Sequence, residues 1–223
     1  MNKRAFDVYA WAVPPVLAPL SFWLWWRTYE GNPWLTLMAW LVPVIYAYVI
    51  PAVGTNLLKV WEFDTRFRLG RFRPHHGFVF GSATAIIAWL VHAGVASAGW
   101  GIIEMALILA GVLGLVNIVY DIRAIRAGYL HVYNQPWAEG KPPTAIVMDY
   151  APWFFGFFGA LYGTGIGAAE ALAAEGVMDI TAFVWLFPLV MFAALALPVL
   201  CYRWSSFLRH GHSGCRPVVR FTQ

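Results

Sequence analysis

A chain of 223 residues that is 61% hydrophobic, 17% aromatic and 12% charged lies far outside the balance of a soluble globular domain. That length leaves room for several helices of the roughly 20 residues that cross a bilayer, but for no sizeable domain beside them. The formal net charge of +4 is read as basic loops against anionic headgroups and not as nucleic-acid affinity, because Lys and Arg of membrane proteins gather on the cytoplasmic side.

Six segments have membrane length: 9–26, 34–58, 77–98, 102–120, 145–167 and 180–202. The expectation is one all-α integral membrane domain over 1–223, a bundle of six transmembrane helices. Asn2, Lys3 and Arg4 ahead of an apolar run resemble a signal peptide, but Pro14, Pro15 and Pro19 interrupt the run. Trp23, Trp25 and Trp26 occupy the place of small cleavage-site residues, so the segment is read as a retained helix. Its prolines and tryptophans make a kinked or interfacial first helix, and hence a five-helix count, the main rival.

Basic residues divide by alternate loops. Lys3 and Arg4 precede the first segment, and Lys59, Arg66, Arg68, Arg71 and Arg73 lie between the second and third. Arg123, Arg126 and Lys141 lie between the fourth and fifth, and Arg203, Arg209, Arg216 and Arg220 follow the sixth. Arg27 alone falls on the other side, with Glu30, Glu170, Glu175 and Asp179. The asymmetry predicts cytoplasmic N- and C-termini, in the inner membrane if the cell is bacterial. Cys201 and Cys215 then sit in a helix and a cytoplasmic tail, where a structural disulfide is not expected.

Ser97 to Gly101 is too short for anything but a tight hairpin, so the third and fourth helices are neighbours. Gly156, Gly159, Gly163 and Gly167 recur at spacings of three and four, a small-residue stripe for helix–helix association. Phe154, Phe155, Phe157, Phe158 and Tyr162 make the opposite, bulky face, suited to lipid or to an apolar slot.

Ionisable groups within a bilayer are functional candidates by default. Asp149, Asp121, Asn117, Asn56, His75, His76 and Arg203 are predicted to share one layer near the cytoplasmic ends of the helices. Asp149 also has a structural reading, as a cap for its helix start at Pro142-Pro143-Thr144 or as partner of Arg203. Of six histidines only His92 falls outside the cytoplasmic side. His75, His76, Glu62 and Asp64 supply ligand types for iron or zinc, although none of the His-rich boxes of membrane di-iron oxygenases is present. Mobile tail residues are the simpler reading of His210 and His212. Glu104, across the hairpin, is the expected partner of His92. The loop from Asp121 to Thr144, with Arg123 and Arg126 on one helical face, reads as an amphipathic extension along the inner leaflet.

Three functions fit. The leading one is a membrane enzyme acting on a lipid or other hydrophobic small molecule at a cytoplasm-facing polar site. Asp149, Asp121 and His131 are its acid–base candidates, and Arg71, Arg73, Arg123 and Asn117 its substrate-binding candidates. The alternatives are a non-catalytic membrane subunit or assembly factor, and a transporter or channel using Asp149, Asn117, His92 and Glu104. Orientation is tested by cysteine labelling: Ser213→Cys should react with a membrane-impermeant maleimide only after cells are opened, and Gly176→Cys in intact cells. Labelling of Ser213→Cys in intact cells contradicts the orientation.

Overall fold

The structure is a computed structural model that describes residues 3–65, 67–68 and 73–214. Its helices are α1 (Lys3–Thr28), α2 (Pro33–Leu57), α3 (His76–Ser97), α4 (Ile102–Arg126), α5 (Gln135–Ala138), α6 (Pro143–Ala174) and α7 (Ile180–His210). All but α5 are long and apolar enough to cross a membrane. Two three-residue strands, β1 (Trp61–Phe63) and β2 (Leu130–Val132), pair antiparallel with Glu62 opposite His131. They cap one end of the bundle, which we call the strand end.

The six apolar segments of the sequence all appear as helices, and α1 is continuous through its three prolines. The stretch after Asp121 is not one amphipathic helix: α4 ends at Arg126, and a strand and the single turn α5 follow. Gly128, with φ of 68°, turns the chain out of α4 into β2. Large apolar side chains along α7, among them Val184, Trp185, Leu189 and Phe192, stay exposed. Such a surface suits an apolar surrounding.

Close backbone approach fixes the packing. A Cβ at Gly159 would lie 2.7 Å from the Leu109 carbonyl oxygen, and one at Gly163 would lie 2.9 Å from the Ala106 Cα. The glycine stripe of α6 therefore seats α4 of the same chain. Gly81 does the same between α3 and α2, where its Cβ would lie 2.4 Å from the Val44 Cα.

Prolines inside the helices free carbonyls that an apolar surrounding cannot hydrate. A tyrosine hydroxyl from a neighbouring helix meets one such carbonyl in α2, and another meets a carbonyl in a widened turn of α6. Pro43 has no N–H to offer the carbonyl of Ala39, and Tyr162 of α6 donates to that oxygen. In α6 the hydrogen-bond ladder widens over Pro152–Phe157, and Tyr46 of α2 donates to the Phe154 carbonyl at 2.8 Å while its ring stacks on Phe158 at 3.7 Å. Each bond ties α2 to α6. Tyr162→Phe should therefore lower unfolding stability by about 1–3 kcal/mol, the cost of a buried carbonyl left without a donor, read as a fall in melting temperature in detergent. Gly159→Leu should be more damaging, because it drives α4 and α6 apart.

Candidate functional site

Two helices present a matched stripe toward the space under the strands. On α3, His76, Phe80 and Thr84 follow at intervals of four, and on α4 Leu113, Asn117 and Asp121 do the same. That interval keeps side chains on one helical face. With Tyr46 and Ala47 of α2 and Tyr150 and Phe154 of α6, they line a partly open cavity of about 90 Å³. Strand alternation supplies the roof, since Trp61 and Phe63 of β1 and Leu130 of β2 face inward onto it. The chamber is apolar apart from a few polar groups, the usual make-up of a small-molecule site.

Asp121 is 6% exposed, and one of its oxygens accepts a 2.6 Å hydrogen bond from the Tyr150 hydroxyl. Its other oxygen has no hydrogen-bond or ion-pair partner among the described residues. Asn117 uses its NH₂ group on the Leu113 carbonyl at 2.8 Å, which leaves its amide oxygen for the chamber. His76 faces Arg73 with Nδ1 at 3.0 Å. A guanidinium has only donors, so Nδ1 is the acceptor and the ring proton belongs on Nε2.

Arg73 is fully buried. It donates to the Tyr129 hydroxyl and to His76, and its guanidinium lies 4.4 Å from the centre of the Phe63 ring. No described carboxylate lies within ion-pair distance of it, and burial pushes its pKa below the ordinary arginine value. Arg123, by contrast, is exposed, and Arg71 lies outside the described residues.

Asp149 sits elsewhere. Its carboxylate, 1% exposed, takes Arg209 Nη1 at 2.8 Å, His210 Nε2 at 2.9 Å, Asn134 Nδ2 at 3.1 Å and the Tyr202 hydroxyl at 3.2 Å. These contacts knot the start of α6 to the last turns of α7 and to α5's cap. Arg209, not Arg203, is the arginine partner, because α7 runs eight residues beyond 202, to His210. Gly211, with φ of 77°, then turns the chain back so that His212 meets Gln135 at 2.8 Å. His210 and His212 are thus held and do not trail as a loose tail. Burial, and then His210, push the His212 pKa down.

The four metal-ligand candidates are not brought together, and no described group of three His, Cys, Asp or Glu is close enough to hold an ion. Strand alternation is the reason: Phe63 faces the chamber, so Glu62 and Asp64 on either side of it face out. Glu62 meets Arg68 and Tyr133, each at 3.2 Å, and Asp64 pairs with Lys3, whose hydrogen bond holds the carboxyl below its usual range. His131 is likewise on the outer face of β2, exposed, opposite Glu62. His75 stacks on Trp11 at 4.6 Å, and burial, with Arg73 nearby, lowers its pKa. Only His76 of the four reaches the chamber.

At the opposite end the expected His92–Glu104 pair is replaced. His92 meets Glu170 of α6 at 2.6 Å, and Tyr29, in the turn just after α1, donates to the same oxygen at 2.8 Å. Glu104 is engaged on its own helix, accepting from the Gly101 N–H at 3.0 Å.

Sequence reasoning passed over Tyr150, Phe80 and Thr84, although the four-residue spacing from His76 was a readable signal. Compared with known protein families, with curated proteins and with solved structures, the chain matches none.

Asp149→Asn should loosen the knot and lower stability by about 1.5–3 kcal/mol, the range for hydrogen bonds to a charged group. Thermal unfolding in detergent checks this, and proteolysis should release the segment after Arg209 earlier than in the unaltered protein.

Proposed function

We propose that the protein is a multi-pass membrane enzyme that acts on a lipid or other hydrophobic substrate bound in the strand-end chamber, with Asp121 as the acid–base group and Tyr150 orienting it. In this reading the strand end and both termini face the cytoplasm, as the distribution of Lys and Arg favours, and the membrane is the inner one if the cell is bacterial.

One contrast carries the proposal. Two carboxyls are buried near the strand end. Asp149 is ringed by an arginine, a histidine, an asparagine and a tyrosine, so its charge is spent on holding helices together. Asp121 has a single hydroxyl partner and opens on an apolar cavity. A structural role requires compensation, and a group meant to exchange a proton needs an unoccupied side. Asp149, His210 and Arg209 then act on the site only through the position of the first turns of α6, which carry Tyr150.

Asn117 and His76 join Asp121 as the substrate-facing polar groups. Arg73 serves behind them by fixing the His76 ring.

The proposal is tested by incubating purified protein with a total lipid extract of its own membranes and following every species by mass spectrometry. At least one hydrophobic species should be consumed, and Asp121→Asn should slow its consumption by about 10²-fold or more, the usual contribution of an acid–base group. Equal consumption by Asp121→Asn and the unaltered protein contradicts the assignment.

A further inference from the structure

The hydrogen bonds of His212 fix its protonation state. Its Nδ1 accepts from the Gly214 N–H at 3.2 Å, since a backbone N–H can only donate. Its Nε2 lies 2.8 Å from the side-chain oxygen of Gln135, whose NH₂ group donates to the Glu139 carboxylate at 3.0 Å. An amide oxygen can only accept, so Nε2 carries the ring proton. One nitrogen is committed as donor and the other as acceptor, and only the neutral imidazole fills both roles. A second ring proton, on Nδ1, would set donor against donor at Gly214.

The turn that this bond closes is docked on the bundle. Gly211 and Gly214 have φ of 77° and 81°, in the left-handed region that favours glycine. Gly214 is buried, and a Cβ there would lie 2.7 Å from the Tyr202 hydroxyl oxygen and 2.9 Å from Ser206 Oγ. Tyr202 in turn joins the Asp149 knot to the chamber. Its hydroxyl donates to Asp149 at 3.2 Å, and its ring packs on Phe154 of the chamber wall with centroids 5.4 Å apart. The turn therefore rests one side chain away from that wall.

The charged groups around His212 divide its response to acid from that of His210. Arg209 and His210, the last residues of α7, both sit on Asp149 of α6, and Glu139, just after α5, reaches His212 only through Gln135. No described carboxylate lies within ion-pair distance of His212. Burial and then His210, whose ring centroid is 6.1 Å away, hold the His212 pKa below its ordinary value of 6.5, against a smaller pull from Asp149 in the other direction. Acid thus strengthens the bond of His210 to Asp149 and removes the acceptor of His212. Because the docked turn holds the neutral ring, its docking is fully present above 6.5 and is lost as pH falls through the lowered value.

We infer that residues 211–214 form an acid-released latch at the strand end: protonation of His212 at Nδ1 breaks the bond from Gly214 and frees the turn from Tyr202 and Ser206, while the Asp149 knot holds.

Hydrogen exchange of the full-length protein in detergent tests this, read at the Gly214 amide by fragmentation mass spectrometry and corrected for the intrinsic pH dependence of exchange. From about pH 8 to about pH 5, a span that brackets the ordinary histidine value, protection of Gly214 should fall, by about tenfold per unit at its steepest, the slope of one proton. Amides inside α2 and α3 should stay protected throughout. His212→Asn does not titrate, and its side-chain oxygen accepts from the N–H two residues on, so it should keep the protection in acid. His212→Arg, which has only donors, should lack it even at the alkaline end. Equal protection of Gly214 at both ends of the span overturns the latch. A fall in His212→Asn that matches the unaltered protein also overturns it, because the titrating group then lies elsewhere, as does full protection in His212→Arg.

Discussion

A polar group that no neighbour satisfies is expensive in an apolar surrounding, and that single constraint organises this molecule. Pro43 opens the ladder of α2 and the widened turn over Pro152–Phe157 that of α6, and a tyrosine on the facing helix donates to a carbonyl in each. The indole N–H of Trp25 likewise donates across to the Ala85 carbonyl at 3.0 Å, joining α1 to α3. The interhelical contacts that hold the bundle are therefore also the ones that close its polar accounts. Glycines on α6 let α4 come close enough for dispersion to act over the whole length of the pair.

Under the same constraint, the polar groups that are left open become informative. Asp149, Glu170 and His92 are each absorbed into a network that joins two or more helices. Asp121, Asn117 and Thr84 face a cavity instead, on two helices held in register by the 97–101 hairpin. Their arrangement follows from local rules: a four-residue repeat on each helix, a strand pair whose alternate residues roof the space, and Tyr150 brought in by α6. The elements around the site are tied to one another away from it, by the Tyr46 and Tyr162 hydrogen bonds, the Asp149 knot and the glycine contacts of α6.

Apolar length and the alternation of basic loops made the six helices legible in the sequence, because both depend on composition alone. Helix ends were less legible. Apolar length stops near Tyr202, yet α7 continues to His210 because Arg209 and His210 find Asp149, a tertiary contact with no local signature. The short strands were missed for a similar reason, since Trp61–Phe63 pairs with a partner about seventy residues away. Asn117 was recognisable as a polar residue inside an apolar segment, Asp121 as one at its mouth, and Gly159 and Gly163 as a packing stripe. What composition could not give was direction. Glu62, Asp64 and His131 look like ligands beside His75 and His76 on paper, but a period of two turns them to the far face of the strands. Glu104 looked free for His92 until its own helix start claimed it.

The central claim is that Asp121, and not Asp149, is the chemically open carboxyl of the strand end. Dicyclohexylcarbodiimide, which enters apolar sites and couples to carboxyl groups, discriminates between them directly when the adducts are located by peptide mass spectrometry. The account predicts an adduct on Asp121, with Asp149 unmodified in the folded protein. An adduct on Asp149 with Asp121 untouched would contradict it.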